Sequence, residues 1–141
     1  MPFISAEDSK VLQAEFAKFK QPVKLVYFTQ KMACEYCEET QRILEEVAAL
    51  SDKVSLQIHN FTLDQEQSKG FGIDKIPATV VLGEKDYGIR FYGIPSGYEF
   101  TSLVESITLV GSGQSALAEK TKSELKDLKA PVHLQVFVTP T

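Results

Sequence analysis

Between residues 22 and 60 the hydrophobic period of this chain changes twice, and that succession leaves few folds open. The run PVKLVYFT packs Val23, Leu25, Val26, Tyr27 and Phe28 into a segment too short for a helix and rich in strand formers, which predicts a buried strand. EETQRILEEVAALSD then sets Ile43, Leu44, Val47, Ala48 and Leu50 at helical spacing. KVSLQIHNF alternates Val54, Leu56 and Ile58 with Ser55, Gln57 and His59, the period of a half-buried strand. Strand, helix and strand make a βαβ unit, whose right-handed crossover lays the two strands parallel in one sheet.

Around this unit the pattern predicts a leading helix, with Ser5 and Asp8 at capping-box-like spacing, Leu12, Phe16 and Phe19 on one face, and an end at Gln21-Pro22. After it come a short polar helical piece in LDQEQSKGFG and two apolar runs flanking GEKD, which read as a hairpin. A helix from Tyr98 to about Leu109 closes the series. The expected fold class is therefore α/β, with a central mixed β-sheet flanked by helices and an extra N-terminal helix, and one domain spans residues 1–110.

Residues 111–141 look like a restart. GSG reads as a linker, and AEFAKFKQPVKLVYF (14–28) aligns with SELKDLKAPVHLQVF (123–137). The alignment matches Glu15 with Glu124, Lys20 with Lys129, Pro22 with Pro131, Val23 with Val132, Leu25 with Leu134 and Phe28 with Phe137. Self-similarity at a fixed offset marks a repeated unit. Residues 111–141 are thus expected to be a linker, a helix and the first strand of an incomplete second unit. An independent helix-strand appendage is the alternative. Such a strand would show Val132, Leu134, Val136 and Val138 without sheet neighbours, so self-association through it is expected.

The two cysteines of the chain, Cys34 and Cys37, stand together in KMACEYC, between the first buried strand and the amphipathic helix. A helix start offers unpaired N–H groups and partial positive charge, and both favour a thiolate over a thiol. Cys34 at the open end is then the nucleophile, and Cys37, three residues on, is the shielded thiol that resolves a mixed disulfide. Half of a zinc site is a rival, but it needs two further ligands, and His59 and His133, both read as solvent-side strand residues, lack the spacing of a zinc motif. A structural disulfide would close a tiny loop, and a reducing compartment disfavours it.

FTQKMACEYCEETQRILEEV followed by GIDKIPATVVL resembles the thioredoxin/glutaredoxin superfamily over about residues 22–109. With the extra first helix, YGIRFYGIPSGYEF and the ending VFVTPT, the whole chain resembles the front of a glutaredoxin-like protein disulfide oxidoreductase, a family that joins two such folds. The resemblance implies that Ile76-Pro77 is a cis bond facing the cysteines. It implies too that Ile76 offers backbone hydrogen bonds to an extended substrate, and that Gly93 lets the chain turn beside the site. By the same token Glu35 and Tyr36, inside the motif, tune the redox poise and share the substrate-binding face with Ile76 and Pro77. Glu35 opposes a thiolate at Cys34 electrostatically, which favours a more reducing or less reactive pair.

The function expected is thiol–disulfide exchange on protein disulfides or dithiols, with no bound cofactor and, by family analogy, a flavin-dependent reductase as electron donor. Two rivals are the N-terminal part of an alkyl hydroperoxide reductase flavoprotein and a non-catalytic docking module. A formal net charge of -4 without a Lys/Arg cluster speaks against a nucleic-acid partner. With 43% apolar and 24% charged residues, and no basic-then-apolar start, neither a membrane partner nor a secretory signal is indicated, and a cytoplasmic protein is expected.

Overall fold

The computed structural model describes residues 1–139. In chain order the elements are α1 (Ala6–Ala17), β1 (Val23–Thr29), α2 (Cys37–Ala48), β2 (Val54–Asn60), α3 (Gln65–Gly70), β3 (Ala78–Leu82), β4 (Asp86–Tyr92), α4 (Tyr98–Ser112) and α5 (Glu119–Lys126). Four strands form one mixed sheet in the order β2-β1-β3-β4, with β1 parallel to β2 and antiparallel to β3, and β3 antiparallel to β4.

The dense apolar run of β1 follows from its place in this sheet, because a central strand covered on both faces has no wet side. Val23, Leu25 and Tyr27 face Phe16 and Phe19, Leu44 and Val47 of α2, and Leu103, Ile107 and Val110 of α4. Val26 and Phe28 point the other way, into a smaller cluster with Val80, Ala78 and Ile73 against which Phe61 and Phe71 pack. On α2 the buried stripe is Cys37, Thr40, Ile43, Leu44 and Val47, so the helix presents its first residue and its hydrophobic face to the same core.

The N-terminal helix is tied in at both ends. Ser5 accepts the Asp8 N–H at 3.0 Å as an N-cap, and the Glu46 carboxylate on α2 accepts the Phe3 and Ile4 N–H groups at 2.7 to 2.9 Å. At its far end Lys53 Nζ donates to the Ala17 and Phe19 carbonyls at 2.8 and 2.9 Å, a cation on carbonyls left open at the helix C-terminus.

Two expectations are corrected here. GSG is not a linker: Gly111 and Ser112 belong to α4, and Gly113, at φ 69°, ends it as a left-handed C-terminal glycine. Gly111 is buried because α4 meets Phe19 there. A Cβ at this position would collide with the Phe19 ring, and the Gly111 carbonyl accepts the Lys20 N–H at 2.9 Å. The second correction concerns the terminal strand. Helix α5 forms, but buries no residue, and residues 129–139 join no ladder. A strand exists only through a ladder with a neighbouring strand, and none of the ladders among the described residues includes this segment. Val132, Leu134, Val136, Phe137 and Val138 are accordingly exposed. Pro140 and Thr141, the end of that strand as read from the sequence, lie outside the described residues.

Candidate active site

β1 ends at Thr29, and the chain must reach the start of α2 across the C-terminal edge of the sheet. It does so through residues 30–36, in which Ala33 takes φ 55°, the positive-φ conformation that non-glycine residues rarely adopt. Cys34 follows, half-buried at the rim, and Cys37 opens α2 at 3% exposure. The two sulfurs are joined as a disulfide, with their Cα atoms 5.5 Å apart. The pair is therefore in its oxidised form, one thiol reachable and the other covered.

The N-cap of α2 is Tyr36, whose side chain makes no capping bond, so the first-turn N–H groups are not taken by a cap. Glu38 and Glu39 lie in that turn, and Glu35 and Tyr36 are exposed beside Cys34. Exposed apolar side chains stand on the same edge, Met32 in the loop itself and Leu63 beyond β2. Thr62, next to Leu63, donates to Gln30 Oε1 at 3.2 Å and brings the two loops together.

Register places the proline. Phe28 pairs with Ala78 across the β1–β3 ladder, so Pro77, one residue before β3, falls at the end of the sheet where β1 leaves for Cys34. The Ile76–Pro77 peptide bond is cis. Pro77 is buried, Ile76 is half-buried and outside the ladder, and the Pro77 carbonyl accepts the Gly93 N–H at 2.9 Å. Gly93 itself sits at φ 87°, where a side chain would strain the turn. Lys75, two residues before Pro77, holds Asp74 at 2.6 Å and lies 4.3 Å over the Tyr92 ring. The structure thus gathers Cys34, Glu35, Tyr36, Cys37, Ile76 and Pro77 at one sheet end, from two separate parts of the chain.

Three polar side chains beneath the motif were not singled out by the sequence. The fully buried Tyr27 donates its hydroxyl to the Cys37 carbonyl at 2.7 Å, and burial pushes its phenol above the ordinary value. Buried Thr40 donates to the Tyr36 carbonyl at 2.7 Å. Thr79, also buried, has a hydroxyl without a partner among the described residues. The signal for Tyr27 was present: a buried tyrosine within an apolar strand needs an acceptor for its O–H.

The histidines take no part in this arrangement. His59, read as solvent-side, is tucked against the Phe28 ring, 5.5 Å between centroids, with Nδ1 3.7 Å from Asp64. His133 is exposed and lies in no strand. Among the described residues no group of three or more His, Cys, Asp or Glu side chains could hold a metal ion, and no helix is long and apolar enough to cross a membrane.

No protein-family model matches the chain. Among curated proteins it is 34% identical, over 95 residues and 67% of its length, to the alkyl hydroperoxide reductase AhpF of Xanthomonas campestris pv. phaseoli, of which it spans 16%. A solved structure of AhpF from Enterococcus faecalis shares 31% identity at a TM-score of 0.79, covering 89% of this chain and 61% of that one. A protein disulfide oxidoreductase from Aeropyrum pernix shares 29% at a TM-score of 0.85, covering 96% of this chain and 60% of that one. With this sheet order, this likeness and a C-x-x-C pair at the mouth of α2, the chain has a thioredoxin-like fold and spans only part of the length of the AhpF and protein disulfide oxidoreductase chains it resembles.

Proposed function

We propose that the chain exchanges electrons with protein disulfides through Cys34 and Cys37. The observation that carries this is the disulfide itself, which joins a reachable sulfur at the loop to a covered one at the first residue of α2. In the reducing direction the Cys34 thiolate attacks one sulfur of a substrate disulfide and the other leaves as a thiolate that takes up a proton. Cys37, having given up its proton, attacks Cys34 Sγ, so that the Cys34–Cys37 disulfide forms and the second substrate sulfur leaves. Two electrons pass from the pair to the substrate and no cofactor is used. The half-buried Ile76 lies outside the sheet ladder and is suited to pair with an extended substrate segment, over Pro77 and beside Glu35 and Tyr36.

A flavin-dependent reductase as the electron donor and a cytoplasmic setting belong to the same proposal. So does the assignment of residues 114–141, those beyond α4 and its terminal Gly113, to a second unit, with self-association through the exposed run from Val132 to Val138. Light scattering at rising concentration tests the last of these, and a strict monomer contradicts it. The likeness to alkyl hydroperoxide reductase AhpF favours a second reading, in which the same dithiol relays electrons inside a larger flavoprotein. The coding sequence beyond residue 141 separates them: a flavin-binding domain supports the relay, a second C-x-x-C and a stop the tandem oxidoreductase.

The deciding experiment for either is insulin reduction with dithiothreitol as donor. A rate above the dithiothreitol background that vanishes in Cys34→Ser supports exchange chemistry. A rate equal to background leaves a docking module as the better account.

A further inference from the structure

The covered thiol must do two things that pull apart: stay close enough to Cys34 to close the disulfide, and let go of it on reduction. What holds Cys37 in place is visible beneath the helix. The start of α2 has no side-chain cap, yet the two carbonyls at that point, those of Tyr36 and Cys37, are each held by a buried hydroxyl. Thr40 belongs to the same helical turn and moves with it. Tyr27 does not. It stands on β1, ten residues back, and its 2.7 Å bond to the Cys37 carbonyl fastens the turn to the sheet. The tyrosine is fully buried, and the Thr29 and Thr40 side chains flank its hydroxyl, so the bond sits inside a small polar cluster beneath the motif.

We propose that Tyr27 is a positioning residue for the resolving thiol: its hydroxyl, by holding the Cys37 carbonyl, keeps Cys37 Sγ poised against Cys34 when the disulfide is open. The proposal rests on the pair being redox active. A held thiol attacks at a higher effective concentration than one that wanders, which favours the closed disulfide and speeds the resolving step. No buried carboxylate on the described residues competes for this place: besides Tyr27, the buried polar side chains are Thr40, Ser68 and Thr79. Of these Ser68 donates to the Phe61 and Asp64 carbonyls around α3, away from the motif.

The test is a redox titration in which the Cys34–Cys37 disulfide plus two glutathione thiols equilibrates with the dithiol plus glutathione disulfide. Tyr27→Phe keeps the ring and deletes the bond. It should move the equilibrium about fivefold toward the dithiol, roughly 20 mV at 29.6 mV per tenfold for a two-electron couple, and slow release of a trapped mixed disulfide by a like factor. Thr79→Val removes the neighbouring buried hydroxyl, which has no bond to the motif, and should leave both quantities at their original values. A Tyr27→Phe equilibrium within twofold of the unaltered protein, or an equal shift in Thr79→Val, overturns the proposal while leaving the exchange chemistry standing. A pair that never equilibrates with glutathione overturns both. Should Tyr27→Phe fail to fold, the unaltered protein still decides. Its Tyr27 hydroxyl proton should exchange slowly with water in NMR with the disulfide open as well as closed, and fast exchange in the reduced protein overturns the assignment.

Discussion

Tyr27 and Thr79 face each other directly across the β1–β3 ladder, both fully buried; Tyr27 O–H has an acceptor, whereas Thr79 Oγ1 has no partner among the described residues. A buried hydroxyl without a partner costs about 1 to 3 kcal/mol of desolvation. Thr79→Val keeps the branched shape and removes that cost. It should raise the urea midpoint by the equivalent of about 1 kcal/mol at unchanged slope. A fall in the midpoint would show that the hydroxyl is satisfied after all.

The two cysteines should differ in chemistry because they differ in cover. After reduction, iodoacetamide should label the half-buried Cys34 before Cys37, which is only 3% exposed. Cys37→Ser should trap mixed disulfides with protein substrates, since the attacking thiol survives and the resolving one is gone, while Cys34→Ser should trap few. Peptide mapping with Cys37 labelled first would reverse the roles.

Glu35, exposed next to Cys34, puts a negative charge beside the site of thiolate formation. Glu35→Gln should make the Cys34 thiolate easier to form and move the pair toward a more oxidising potential. Because the charge faces solvent, the gain in alkylation rate at neutral pH should be no more than about fivefold, and salt should shrink it. A slower alkylation in the variant would contradict the sign.

Acid stability should report on the far end of the sheet. The Arg90 guanidinium holds both Asp86 oxygens, at 2.6 and 2.9 Å, and donates to the Phe71 carbonyl at the end of α3, so the Asp86 carboxyl lies below the usual carboxylate value of 3.8. With the folded value below the unfolded one, the carboxylate stabilises fully above the unfolded value, and that stability is lost as pH falls through the folded value. Asp86→Asn should therefore cost about 0.5 to 1 kcal/mol at neutral pH, given a partly exposed pair, and the cost should fade below about pH 4. Denaturation curves whose difference does not change between pH 7 and pH 3 would rule this out.

At Gly111 helix propensity and packing oppose each other. Alanine is the better helix former by roughly 1 kcal/mol, but its Cβ would strike the Phe19 ring in a fully packed corner. Packing should win, with Gly111→Ala losing about 1 to 3 kcal/mol. Phe19→Leu in the same background should recover part of that loss. A stabilised Gly111→Ala would mean that the ring moves aside freely.

What the sequence disclosed, and what it hid, divides along physical lines. Periodicity found β1, α2 and β2, because each buries a face whose spacing is set by its own backbone, and the cysteine spacing found the motif on the same grounds. It failed where a residue's part is decided by a distant neighbour. Gly111 reads as flexible until Phe19 is seen against it, and residues 129–139 read as a strand until the missing ladder is noticed. Tyr27 counts as one more apolar residue of a strand until Cys37 supplies its acceptor. His59 falls on the outward phase of an alternating strand, yet Phe28 on the paired strand draws the ring down.

The two halves of the site belong to different structural units. The dithiol rides on the β1-α2-β2 crossover, and Pro77 rides on the β3–β4 hairpin, joined to the first by the five residue pairs from Lys24↔Leu82 to Phe28↔Ala78. The β1–β2 pairs, from Val23↔Val54 to Thr29↔Asn60, each close over 31 residues, whereas those five pairs close over 50 to 58 and are somewhat the costlier to make. The cysteine loop and the proline can thus part at the β1–β3 seam. A chain whose hairpin has come away still bears both cysteines beside α2, and has lost the Ile76–Pro77 edge that stands next to them.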